Sequence, residues 1–124
     1  MSVKLSHRSG EILGKLQRAL RLPERPPLLR LAFAHGLLAS DGVLPHQEDS
    51  RGPEIPIKVI TAGQDLLMDA LLVEALGGTL DPTERRKAYK ILVDYGLLKL
   101  WEQFEQMDGP SDFLVKLARQ SVVA

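Results

Sequence analysis

Seven cations crowd the first thirty residues of this 124-residue chain: Lys4, Arg8, Lys15, Arg18, Arg21, Arg25 and Arg30, set against Glu11 and Glu24. That segment carries +5 and the remaining 94 residues carry −5, so the chain as a whole is formally neutral. A basic third balanced by an acidic remainder points to a surface for a polyanion, or equally to one that docks on the acidic half of a neighbouring subunit. Arginine favours the first use, because its planar guanidinium bonds phosphate oxygens in pairs. Lys4, Arg8, Lys15, Arg18, Arg21 and Arg25 are the candidate polyanion contacts, and if the polyanion is DNA, contacts of this kind position a duplex without reading its bases. Arg85-Arg86-Lys87, with Lys90, form a second basic run where cations oppose the dipole of a predicted helix, partly offset by Asp81 and Glu84. The favoured reading of this run is a solvated face, ahead of a partner contact.

Other chemistry is sparse. With no cysteine, thiolate metal sites, disulfides and cysteine nucleophiles are excluded, and any sulfur chemistry falls to a partner. His7, His35 and His46 share no ligand spacing, and no HExxH motif accompanies them, so no metal site is expected. His35, on an apolar helix, reads as a satisfied core or interface histidine. His46 and Glu48 could in principle assist hydrolysis, but no activated serine or lysine stands with them. Neither GxxxxGK[ST] nor GxGxxG occurs, so a nucleotide has no phosphate cradle. The expectation is a protein with no catalytic site and no cofactor.

The elements that must hold these residues are mostly helical. Val3-Lys4-Leu5 alternates as a short strand does, and Ser6 is placed to cap the helix that follows. Ile12, Leu13, Leu16, Ala19 and Leu20 form one stripe of a helix from His7 to Arg21, with Arg8, Glu11, Lys15 and Arg18 on its opposite face. Gly10 and Gly14, four apart on this helix, suit close packing or simple tolerance of glycine. An elbow containing Pro23, Pro26 and Pro27 leads to a nearly all-apolar, buried helix from Pro27 to Ala39. Residues 40–56 are turn-rich and read as an exposed loop. Ile57-Lys58-Val59-Ile60 is a candidate strand that could pair with Val3–Leu5 in its own or a neighbouring chain. A third helix spans Gln64–Leu76 and stops at Gly77-Gly78. A fourth starts at Asp81-Pro82 and runs through Trp101, with Gly96 as a candidate bend, and a short terminal helix is expected over Asp112–Gln120.

The fold expected is a mainly α, compact helical bundle of about five helices with short N-terminal and mid-chain strands, a start that is ribbon-helix-helix-like. Two helices apolar on nearly every side exceed what one small core can cover, so self-association is expected through one of them. The N-terminus has no apolar signal-peptide core, and no run of about 18 apolar residues exists to span a membrane, so the expected address is cytoplasmic.

Lys4-Leu5-Ser6, Leu13–Arg18 (LGKLQR), and Leu22 with a proline before Arg30-Leu31-Ala32 follow one another in an order similar to the DndE family of DNA phosphorothioation systems. Gly52-Pro53-Glu54 through Ile60, then Gly63 and Asp65, resembles that family's GxEFNxxTLxG segment, and Leu92–Leu97 (LVDYGL) stands where members carry His-x-x-Arg-Gly-Ile. The chain departs from the pattern at Gln17, Val93 and Tyr95 and in a longer elbow. The resemblance covers residues 3–100 of a single 1–124 domain and leaves 101–124 as a C-terminal helical extension. It implies a homo-tetramer that binds duplex DNA, favours nicked DNA, and works with DndC-like and DndD-like subunits. Three other functions stay open: a ribbon-helix-helix-like regulator that turns Ser2, Lys4 and Ser6 into a major groove, an adaptor docking on acidic partner subunits, and a nicking enzyme using His7 or His46.

Overall fold

Ser6 opens the first helix as its position predicts: its backbone is extended and its Oγ accepts from the Ser9 amide at 3.0 Å. The computed structural model describes residues 1–107 and 119, so nearly all of the terminal helix expected over Asp112–Gln120 lies outside the described residues. In chain order the elements are β1 (Ser2–Lys4), α1 (His7–Ala19), α2 (Pro26–Ala39), β2 (Glu54–Pro56), α3 (Ile57–Thr61), α4 (Asp65–Leu76) and α5 (Pro82–Glu105). The fold is mainly α: among the described residues there are five helices and one two-stranded antiparallel sheet.

Helix α5 is the axis of the domain. Asp81 and Glu84 cap it reciprocally, the Asp81 carboxylate accepting from the Glu84 amide at 2.8 Å and the Glu84 carboxylate from the Asp81 amide at 3.3 Å. From Ala88 to Leu97 every residue except Tyr95 is buried, because α5 is covered by α2 on one side and by α1 and β1 on others. The α2 contact is close. A Cβ on Gly96 would collide with the Ala32 carbonyl, and one on Gly36 with the Leu92 carbonyl. Gly96 therefore lets two backbones approach within an unbroken helix. Phe33 and Tyr89 stack beside this crossing at 5.0 Å.

The mid-chain strand falls earlier than predicted. Glu54–Pro56 pairs with β1 of the same chain in the register Ser2 with Pro56, Val3 with Ile55 and Lys4 with Glu54. Ile57–Thr61 is a helical turn, not a strand. Its β-branched residues favour a strand, but burial at i and i+3 decides the matter: Ile57 and Ile60 are 2% and 0% exposed while Lys58 faces out. Helix α1 likewise ends at Ala19 rather than Arg21, since Arg21 adopts the left-handed conformation (φ 55°) and the Leu22 amide returns to the Gln17 carbonyl.

Helix α4 is turned unexpectedly. Its inward face holds Asp65, Met68, Asp69 and Leu72, and its outward face holds Leu66, Leu67 and Leu71, of which Leu66 is 89% exposed. The cause is polar. Asp69 accepts from Arg85 Nε at 2.7 Å and from the Tyr89 hydroxyl at 2.9 Å, and Asp65 accepts from Thr61 Oγ1 at 2.5 Å. Burial and the adjacent Asp69 carboxylate push the Tyr89 phenol up, so that it stays a donor. Among the described residues, no helix is long and apolar enough to cross a membrane.

Candidate nucleic-acid interface

All six residues expected to contact phosphates are exposed. They divide into two places. Arg8, Lys15 and Arg18 lie along the outer face of α1, opposite the buried Ser9, Ile12, Leu13 and Leu16, and Arg21 and Arg25 extend that face across the elbow. Glu11 is the sole acid of α1, and it faces His7 across 2.9 Å, so the neighbouring cations keep their charge unneutralised. The Lys15 ammonium sits 5.4 Å over the Trp101 ring, a contact that orients it without cancelling its charge. Arg25 Nε donates to Gln17 Oε1 at 3.1 Å. A Cβ at Gly14 would meet only the tip of the Arg18 side chain at 3.4 Å, an ordinary contact, so this position tolerates glycine without requiring it. Gly10 makes room for the ring of Pro53, so its close packing is against the loop.

Lys4 belongs to the second place. From the outward face of β1 it joins Arg86, Lys87 and Lys90 of α5 around a cleft of about 450 Å³. The second basic run and the first thus meet in space, which linear reading of charge could not find. Arg85, the first residue of that run, points the other way and pairs with Asp69 at 2.7 Å and Asp65 at 3.7 Å.

A buried polar network holds the two places in fixed relation. Asp94 Oδ1 accepts from the Ser6 amide at 3.0 Å and the Ser9 hydroxyl at 2.6 Å, and Asp94 Oδ2 from the Lys90 ammonium at 2.7 Å. Lys90 also donates to the Asp49 carbonyl at 2.7 Å. The Asp49 carboxylate in turn accepts from the His7 and Arg51 amides at 3.0 and 2.9 Å, and these N–H groups hold it below the usual carboxylate range. The long loop is thus exposed, as expected, but pinned to α1 and α5 through its later half. Sequence reasoning missed Asp94, although it lies within the LVDYGL segment and follows Lys90 by one helical turn, a spacing suited to an ion pair.

The remaining candidates stay apart. His7 opens α1 on its exposed side, facing Glu11, and His46 and Glu48 border a cavity of about 30 Å³ with Arg8, Ser9 and Asp94, room for a water but not for an organic substrate. His35 sits between α2 and α5 with Nε2 3.3 Å from Gln103 Nε2, and burial pushes its pKa down. Among the described residues no group of three or more histidines and carboxylates is arranged to hold a metal ion. Ser6, which the ribbon-helix-helix reading turns into a groove, is 2% exposed and occupied in capping α1. No family model matches the chain, and no curated protein and no solved structure is significantly similar to it.

Proposed function

We propose that this chain is a non-catalytic DNA-binding subunit that holds duplex or nicked DNA by its phosphate backbone, as the DndE resemblance implies. The observation that carries the reading is that none of Lys4, Arg8, Lys15, Arg18, Arg21 and Arg25 forms an ion pair among the described residues, although all six are exposed. Folded chains of zero net charge can neutralise their cations internally. This one leaves five of them along a single helix and its elbow. Burial of Ser6 weighs against the ribbon-helix-helix alternative, because one of its three reading positions is withdrawn from solvent. On the proposed reading the protein works in the cytoplasm as a homo-oligomer, beside DndC-like and DndD-like subunits that carry out the sulfur chemistry.

The test is binding to intact, nicked and unrelated-sequence duplexes across a salt series. We expect sequence-tolerant binding with a nick preference and a steep salt slope. Reversing three charges, Arg8→Glu, Lys15→Glu and Arg18→Glu, should weaken it and flatten the slope by about 0.9 for each phosphate that is no longer neutralised. Unchanged affinity in the triple variant would refute the assignment of this face, and absence of binding at low salt would give the basic face to an acidic protein partner.

A further inference from the structure

We propose that the cleft between β1, the loop near Ser50 and the first turns of α5 is a binding site for a terminal phosphoryl group, the dianion of a phosphomonoester. The site is separate from the α1 face and shares only Lys4 with the proposed duplex contacts. Thr83, Arg86, Lys87 and Lys90 follow one another at i, i+3, i+4 and i+7, so α5 presents them along one side, and all four line the cleft. Lys4 enters from β1. Four cations therefore surround a concavity whose sole lining acid is Glu54.

Three of these four charges are not used by the fold. Lys4, Arg86 and Lys87 make no side-chain hydrogen bond and no ion pair among the described residues, whereas Arg85 beside them is fully engaged by α4. Lys90 is 5% exposed and fixed by two short bonds, to Asp94 and to the Asp49 carbonyl. An ammonium has three donors, which leaves one for a group in the cleft. Keeping like charges together in a concave site costs repulsion that a bound anion removes.

Shape and hydroxyls narrow the ligand class. A volume of about 450 Å³ lies in the range of small-ligand sites. A phosphodiester inside a continuous duplex carries one charge and is flanked by backbone on both sides, so it brings less charge to the cleft and reaches less far into it. A terminal phosphate carries nearly two charges and enters end-on. Ser2, Ser50 and Thr83 supply hydroxyl donors around the same space, and Glu54 offers an acceptor for a hydroxyl of whatever carries the phosphate. A nucleotide or sugar phosphate has both groups, and so does a phosphorylated nucleic-acid end.

Calorimetric titration of the full chain separates these sources. The probes are inorganic phosphate, a nucleoside 5′-monophosphate, the bare nucleoside, and a short oligonucleotide with and without a 5′-phosphate. We expect one saturable site for inorganic phosphate and the mononucleotide, none for the nucleoside, and about tenfold or more loss for both in the Arg86→Ala/Lys87→Ala variant, with Lys58→Ala, an exposed cation that does not line the cleft, unchanged. A gain in oligonucleotide affinity from the 5′-phosphate that is lost in Arg86→Ala/Lys87→Ala would assign the site to nucleic-acid ends, and saturable binding of the mononucleotide without such a gain to a free metabolite; both uphold the phosphomonoester chemistry. No saturable binding of any phosphorylated probe, or equal weakening by both variants, would overturn it, and neither outcome bears on the duplex salt series.

Discussion

Asp94 joins three segments through two oxygens, taking the Ser6 amide and Ser9 hydroxyl on one and the Lys90 ammonium on the other. Its side chain and that of Lys90 are 3% and 7% exposed, so removing either partner leaves a buried charge without its counter-ion. Asp94→Ala should therefore cost about 3–5 kcal/mol in urea denaturation; a loss below about 1 kcal/mol would mean that water reaches Lys90 and replaces the carboxylate. His35 makes a second prediction, in pH. Its folded pKa lies below the ordinary 6.5 because burial disfavours the imidazolium. Below that value the unfolded chain takes up the proton first. The stability contributed by neutral His35 is then complete above about pH 6.5 and is lost as pH falls toward the lower folded pKa. Denaturation midpoints at about pH 5 and about pH 8 should differ in the wild type and converge in His35→Gln.

At the scale of elements, the contact between α2 and α5 rests on glycine. Gly96→Ala forces a methyl group into the Ala32 carbonyl and should destabilise by about 2–3 kcal/mol or more, because backbone must move to admit it. Gly78→Ala meets nothing within 4 Å and has no left-handed φ, so its melting temperature should stay the same or rise slightly. Equal loss in both would show that the crossing is loose enough to open. The helix starts were legible in the sequence because their causes are local: Ser6 and Asp81-Pro82 carry the cap chemistry within four residues of the helix they begin. The strand at Ile57 was misread, and the packing use of Gly96 was missed, for the opposite reason. Whether Ile57 pairs in a sheet or turns inward with Ile60 depends on what lies beneath them, and whether Gly96 bends a helix or admits a neighbour depends on α2. Neither partner is near in sequence. The exposure of the basic α1 face followed from its opposite apolar stripe, but the gathering of Lys4 with Arg86 and Lys87 required the pairing of β1 with β2 beside α5.

For the whole molecule, the outward leucines of α4 set the expected state of assembly. Leu66, Leu67 and Leu71 are 89%, 54% and 43% exposed because the helix uses its acids to bind α5, and a stripe of this kind is unusual on a monomer. On the tetramer reading, sedimentation of the wild type should give a homo-oligomer, and Leu66→Glu/Leu71→Glu should release monomers with unchanged helical circular dichroism. A variant that keeps the wild-type mass would move the interface elsewhere. The Asp94 network has one more implication, for the order in which the chain can settle as it is made. Ser6 and Ser9 lie 88 and 85 residues from the carboxylate that receives them. Helix α1 leaves the ribosome well before the acceptor that locks its start, which is synthesised 85 residues after Ser9. During translation the cationic segment is present without its anchor, and α1 is secured only after α5 has been made.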